Sequence, residues 1–234
     1  MILNALKQAS LRYERKFLIS ELSRFEVEAI VKLHPAIFSE IYQQRFVNNI
    51  YFDTINASSF ADNVSGVSER LKVRVRWYGD VFGLIEKPIL EFKTKKGLTG
   101  GKVRFPINSF YLDSNYSLGV QQDSFIKSGI PDILLEYLKP LRFTLLNHYS
   151  RKYFESANRK FRITIDFDME SFKIDSRNNS FIEEIIDRKH TILELKYSDE
   201  HDEEARLITN YFPFRMTKSS KYVTGFDQFH SFMF

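Results

Sequence analysis

Hydrophobic and polar positions alternate along much of this chain with a period of two, the spacing that puts neighbouring side chains on opposite faces of a β-strand. The clearest run covers residues 70–77. Arg70, Lys72, Arg74 and Arg76 share one face, and Leu71, Val73, Val75 and Trp77 share the other. The pattern recurs where Arg12, Glu14 and Lys16 are interleaved with Tyr13, Arg15 and Phe17, and where Lys102 and Arg104 flank Val103 and Phe105. It returns where Lys160, Arg162, Thr164, Asp166 and Asp168 alternate with Phe161, Ile163, Ile165 and Phe167. Strands are further predicted over residues 44–53, 89–95, 102–107, 147–155, 160–169 and 191–197. Ser20 is the expected N-cap of a helix over 21–33, ended by His34-Pro35. Residues 54–63 read as a short helix or structured loop before Gly66, and a turn falls near Gly79-Asp80. Pro131 suits the first turn of a helix reaching Leu138, with Pro140 as its stop. Residues 199–211 have an acidic first turn and an apolar side, as a helix should. Residues 214–225 are expected to be a final extended segment.

Four like charges on one strand face repel each other unless they meet open water or a partner with several negative charges. About eight strands, each with one charged and one apolar face, are reconciled by curling the sheet into a closed barrel with its charges inward. The predicted fold is therefore α+β, a predominantly antiparallel β-barrel forming a charged tunnel, with peripheral helices. Such a lumen must hold water, ions or an anionic ligand. No repeat, low-complexity linker or composition break divides the chain, which predicts one domain over 1–234.

Composition sharpens this picture in a few places. The 23 phenylalanines and 12 tyrosines suit the apolar faces of sheets. With 34 basic and 30 acidic side chains the net charge is only +4, so the clustering of charge carries more than its sum. A nucleic-acid binder would carry a clearly basic total and a broad outer patch, so none is expected as a partner. The absence of cysteine excludes disulfides, thiolate metal sites and cysteine nucleophiles. Residues 1–7 lack the apolar core of a signal peptide, and no run approaches the roughly 20 apolar residues of a bilayer span. A cytoplasmic protein with no intrinsic membrane segment is expected, its protein partners unspecified. His34, His148, His190, His201 and His230 show no zinc-binding spacing and read as structural or surface residues. The loop holding Gly97, Gly100 and Gly101 lacks the spacing and following helix of a P-loop, and is read as a hairpin connection.

Several motifs occur in an order that resembles a known family. They are Arg12-Tyr13-Glu14-Arg15-Lys16, Asn49-Ile50-Tyr51-Phe52-Asp53-Thr54 and Arg70-Leu71-Lys72-Val73-Arg74-Val75-Arg76-Trp77-Tyr78. Glu91-Phe92-Lys93, Tyr149-Ser150-Arg151, Arg162-Ile163-Thr164-Ile165-Asp166, Glu194-Leu195-Lys196 and Ser220-Lys221-Tyr222 follow. Together they resemble the triphosphate tunnel metalloenzymes, and specifically the catalytic domain of the vacuolar transporter chaperone (VTC) polyphosphate polymerases. The related CYTH branch opens with Glu-x-Glu-x-Lys. Here Arg12 replaces the first acid, and the Ser-Lys-Tyr element leans to the VTC branch. The SPX domain and membrane helices of eukaryotic relatives have no counterpart, so the resemblance implies a stand-alone, prokaryotic-type catalytic domain.

The resemblance implies a metal-dependent polyphosphate polymerase that moves the ATP γ-phosphoryl group onto a growing inorganic polyphosphate chain and releases ADP. It assigns catalytic roles to Arg74, Arg76, Lys93, Arg151, Arg162 and Lys221. Substrate binding falls to Lys16, Arg70, Lys72, Lys102, Tyr149, Lys196, Lys218 and Ser220. Arginine offers a planar fork to phosphate oxygens, and lysine a compact, movable charge. Lys218 and Lys221 differ in parity, so both face inward along a strand only across a bulge. Glu194 and Glu14 are the expected ligands of Mn²⁺ or Mg²⁺, with Glu91 and Asp166 as further carboxylates that serve as ligands or counter-ions. A tunnel open at both ends would let product leave without passing the nucleotide. A metal-dependent triphosphatase and a non-catalytic polyphosphate-binding subunit remain as alternatives.

Overall fold

A computed structural model describes residues 12–97, 99–177 and 179–230. The expectation for residues 1–7 and the side chain of His230 lie outside the described residues. The strands are β1 (Arg12–Ile19), β2 (Ser39–Asp53), β3 (Glu69–Tyr78), β4 (Gly83–Ile85), β5 (Ile89–Lys96) and β6 (Thr99–Pro106). β7 (Phe110–Leu112), β8 (Arg142–Glu155), β9 (Arg162–Phe172), β10 (Glu184–Asp187) and β11 (Thr191–Tyr197) complete them. The helices are α1 (Arg24–Lys32), α2 (Ser58–Ser65), α3 (Leu118–Lys127), α4 (Asp132–Leu138), α5 (Asp202–Asn210) and α6 (Lys221–His230).

Nine strands form one antiparallel sheet in the order β10-β9-β11-β1-β6-β5-β3-β2-β8, and a further β8–β9 pairing closes it into a ring with β10 outside. The seam is short, because β1 meets β6 only at Arg12↔Gly100 and Tyr13↔Thr99. Beyond it β1 is met by the chain before α6, through a Phe17↔Met216 bridge and a 2.8 Å bond from the Thr217 N–H to the Lys16 carbonyl.

Alternation decides which face goes where. The apolar faces turn outward under helices, so the hydrophobic layers wrap the ring. Ile50, Phe52, Val73, Val75, Trp77, Leu90 and Phe92 are buried against Phe125 of α3 and Leu134 and Leu138 of α4. On the other side Phe17, Ile163, Ile165, Leu193 and Leu195 are buried against Val27 and Val31 of α1 and Ala205 and Ile208 of α5. Each such side chain contributes roughly 1.5–3 kcal/mol when fully buried, which offsets the polar interior. A third, smaller cluster forms inside the ring, where Tyr51 and Leu145 on the inner face meet Tyr222 and Phe226 of α6.

Three local expectations change. The N-cap of α1 is Ser23, not Ser20. The Ser23 hydroxyl accepts from the Glu26 N–H, and the Glu26 carboxylate accepts from the Ser23 N–H at 2.8 Å, whereas the Ser20 hydroxyl bonds Glu21. Pro131 is the N-cap of α4 and stands just before its first turn. Residues 214–225 are not one extended segment, because Lys221–His230 is α6. Tyr222, Phe226 and Phe229 recur at helical spacing and pack inward, so no bulge is needed for Lys218 and Lys221. Helix α3, the small β4–β7 ribbon and β10 escaped sequence reading.

Asp53 ties the end of β2 to two helices. It accepts from the Ser59 and Phe60 N–H groups of α2, each at 2.9 Å, and from the Tyr222 hydroxyl of α6 at 2.6 Å. Gly225 lets α6 sit close, since an added Cβ would lie 2.7 Å from Leu145 Cδ2 and 2.9 Å from Ser171 Oγ. Gly225→Ala is expected to cost about 1–3 kcal/mol. Hydrogen exchange should show α6 opening more readily than in the parent protein, and unchanged protection would contradict this docking. Among the described residues no helix is long and apolar enough to cross a membrane.

Candidate anion-binding lumen

The strand faces predicted to be charged do converge, and four carboxylates organise them. Glu91 of β5 is 1% exposed and receives Arg74 Nη2 at 2.6 Å and Arg104 Nε at 2.9 Å, with Lys102 Nζ at 3.7 Å and Arg76 Nη1 at 3.9 Å. Burial would raise its pKa, but Arg74, Arg76 and Lys102 outweigh that and hold it well below the usual carboxylate range. Buried Asp166 of β9 receives Arg151 Nε at 2.5 Å and Lys221 Nζ at 2.5 Å.

Glu194 of β11 receives Lys196 Nζ at 2.8 Å, Lys16 Nζ at 3.0 Å and Arg151 Nη2 at 3.8 Å. Glu14 of β1 receives Lys93 Nζ at 3.0 Å, with Lys16 Nζ at 3.9 Å. Lys16 therefore stands between the two carboxylates expected to bind metal. Burial opposes ionisation of Glu14, yet Lys93 and Lys16 keep its pKa far below normal. Among the described residues no group of three or more His, Asp and Glu side chains is arranged for a metal ion. Two hard carboxylates fit Mg²⁺ or Mn²⁺ when phosphate oxygens and water complete the shell.

Neutral groups fix the arginines. Arg76 donates to Asn49 Oδ1 at 2.8 Å and to the Tyr149 hydroxyl at 3.1 Å. Asn49 itself donates a hydrogen bond from its Nδ2 to Asn147 Oδ1 at 2.8 Å. Arg74 donates to the Tyr51 hydroxyl at 3.4 Å. Arg151 lies over the Tyr149 ring, 5.3 Å from its centroid.

Among the described residues the cations of the lumen outnumber the carboxylates, and some have no counter-ion. Lys72 has, among the described residues, only the Ser220 hydroxyl, at 2.9 Å, as a hydrogen-bond partner. Burial, then the charges of Lys16, Lys93, Arg70 and Arg74, push its pKa down to about 6. Lys102 is pushed down to about 7 by burial and by Arg104, Arg74 and Arg76, against the pull of Glu91. Lys95 is lowered by burial, Arg70 and Lys16, with a contribution from Lys218. Helix α6 starts inside this field. The Ser220 hydroxyl accepts from the Val223 N–H at 3.4 Å, and Lys221 lies 4.7 Å from the Tyr149 ring centroid. A helix N-terminus adds its own partial positive charge.

The structure thus brings together Glu14, Lys16, Lys72, Arg74, Arg76, Lys93, Lys102, Tyr149, Arg151, Glu194, Lys196, Ser220 and Lys221. Arg70 stands apart, donating to the Asn63 carbonyl of α2 at 3.3 Å. The Arg162 side chain is 53% exposed and pairs with Glu155 at 2.9 Å, at the end of β9 where it stands opposite Lys196. Lys218 is half-buried and reaches the site only through its field on Lys95. Sequence reading gave no site role to Lys95, to Arg104 on its charged strand face, or to Asn49 and Tyr51 within their motif. The first two follow from the parity of Lys102 and Lys93, but the buried polar partners carry no charge pattern to reveal them. At the end where Tyr51 and Leu145 point inward, α6 covers the ring.

A proton linkage follows from Lys72. In the free protein it is neutral above about pH 6, and a bound anion raises its pKa. Affinity for tripolyphosphate should be level below that pH and fall as pH rises through the window, by at most about tenfold per unit for each lysine. Lys72→Arg stays charged and should flatten part of the slope. Calorimetric titrations of both proteins cancel the ligand's own ionisation, and equal slopes would exclude the linkage.

Comparison with known proteins places this geometry. The chain covers 92% of its length and 97% of a proposed adenylate cyclase from Vibrio parahaemolyticus at a TM-score of 0.50 and 12% identity, a likeness of fold alone. PH1819 protein from Pyrococcus horikoshii OT3 aligns over 89% of this chain and 94% of that one, with a TM-score of 0.49 and 13% identity. A conserved hypothetical protein from Pyrococcus furiosus aligns over 85% and 86%, with a TM-score of 0.45 and 11% identity. No curated protein matches the sequence. The VTC domain model matches residues 11–230, nearly the whole chain, and the chain therefore belongs to the VTC-domain family.

Proposed function

We propose that this chain is a metal-dependent polyphosphate polymerase, one catalytic domain that transfers the γ-phosphoryl group of ATP to the end of an inorganic polyphosphate chain and releases ADP. The observation that carries this reading is the line of under-compensated cations inside the ring, from Lys102 and Arg76 to Lys72 and the start of α6. Its natural complement is a ligand with several phosphates in a row.

Donor and acceptor are both anions, so bringing them together is the main obstacle. Arg74, Arg76 and Arg151 present guanidinium forks held by Glu91, Asn49, Asp166 and the tyrosine hydroxyls. Lys72, Lys93 and Lys221 supply charge along the same path. These groups neutralise repulsion and hold the reacting oxygens in line. Glu194 and Glu14, with Lys16 moved aside, would hold Mn²⁺ or Mg²⁺. When bound, the metal would screen phosphate charge and orient the transferring group.

Glu14 favours a phosphate acceptor over water. Held ionised by Lys93 and Lys16, it is a poor base for activating water, and an acceptor phosphate needs no base. The test is incubation of the purified protein with ATP and Mn²⁺ or Mg²⁺, resolving polyphosphate, free phosphate and ADP. Polyphosphate with matching ADP is expected. Free phosphate without chains would replace this reading with a triphosphatase, and tight tripolyphosphate binding without turnover would replace it with a binding subunit.

A further inference from the structure

The inner faces continue past the cation cluster to a rim of different chemistry. Two positions beyond Arg76, Arg151 and Lys102 stand Tyr78, Tyr153 and Arg104. Strands β3 and β8 both run antiparallel to β2, and β3 and β6 both run antiparallel to β5, so these positions share one end of the ring. It is the end opposite Tyr51 and Leu145, where α6 packs.

At this end Arg45 is stacked on three rings. Its guanidinium lies 4.5 Å from the centroid of Tyr42, 5.4 Å from Tyr153 and 5.7 Å from Tyr78. Tyr42 meets Tyr153 edge-on at 5.6 Å. Tyr42 and Tyr78 are 47% and 46% exposed, so aromatic surface faces the opening. The Tyr153 ring also has Arg151 at 5.9 Å, which makes the stack continuous with the arginine that grips Asp166.

Phosphate gains little from tyrosine faces. A planar heteroaromatic ring gains from both tyrosine and arginine faces. The rim lies two strand positions, about 7 Å, outward of Arg76 and Arg151, a separation that matches the reach of a sugar between a stacked base and the first phosphate. We infer that Tyr42, Arg45, Tyr78 and Tyr153 form a base-stacking subsite that selects a nucleoside triphosphate over an inorganic one and feeds its phosphates inward. This rests on the lumen being the phosphate site.

The test is calorimetric titration of the full chain with ATP and, separately, with tripolyphosphate, for the parent protein, Tyr78→Ala, Arg45→Met and Tyr78→Phe. Tyr78→Ala and Arg45→Met should weaken ATP about tenfold. Tripolyphosphate should change less than about twofold in Tyr78→Ala, and Tyr78→Phe should bind ATP as the parent does. Equal losses for both ligands in Tyr78→Ala, or none for ATP in either variant, would overturn the base subsite and leave the lumen standing. A parent protein that binds neither ligand would overturn both.

Discussion

Glu194→Gln is expected to lower metal-dependent turnover about 100-fold or more while leaving the fold in place. Glutamine keeps the shape of the side chain, and its single carbonyl oxygen can still accept from one of Lys16 and Lys196, which now bond the two different carboxylate oxygens at 3.0 and 2.8 Å. It loses the charge needed to hold a divalent cation against three surrounding cations, Lys16, Lys196 and Arg151. Removing a negative charge from a cationic lumen should not weaken metal-free tripolyphosphate binding, and should strengthen it modestly. The measurement is turnover across a Mn²⁺ or Mg²⁺ titration beside tripolyphosphate affinity without metal. Parent-like turnover in the folded variant would remove Glu194 from the site. Loss of binding and turnover together would make it a structural counter-ion.

The largest stability effect is expected from Glu91→Ala. Four cations converge on this one carboxylate, with Arg74 and Arg104 within 3 Å. Deleting it leaves Arg74 and Arg76 charged and mostly buried without their main counter-ion. Losing one partner of such a buried network costs about 3–5 kcal/mol, which lowers Tm by roughly 6–20 °C in a domain of this size. On the proposal that the lumen takes anions, tripolyphosphate should recover more of that loss in Glu91→Ala than it adds to the parent protein. Thermal unfolding with and without the ligand tests both parts. An unchanged Tm would show that the cations find other partners, and equal ligand effects would separate Glu91 from the phosphate path.

Arg74 and Arg76 were legible in the sequence because strand parity is local, whereas Lys93, Arg151 and Glu194 were legible through motifs of the family the chain resembles. Once a strand exists, every second residue shares a face, whatever the rest of the chain does. Lys221 was legible only through resemblance to a family motif, since a helix rather than a strand carries it inward. Asn49, Tyr51 and Asn147 were not legible as partners, because nothing in their local pattern separates a polar residue in the lumen from one in water. Arg162 shows the converse. It has the right parity and stands opposite Lys196, but its position at the end of β9 leaves it mostly exposed and paired with Glu155 rather than with one of the four central carboxylates.

Period-two alternation, with aromatic apolar faces and basic polar faces, was enough to establish strands and their sidedness and to raise the expectation of an anionic partner, since these depend on neighbours within a few residues. The closing of β8 on β9 decided which charges meet, because register between distant strands sets cross-ring distances. The packing of α6 against Tyr51 and Leu145 decided which end of the ring is covered and delivered Ser220 and Lys221 to Lys72 and Asp166. The Lys72–Ser220 contact spans 148 residues of sequence, and no local pattern encodes a meeting that only the assembled ring allows.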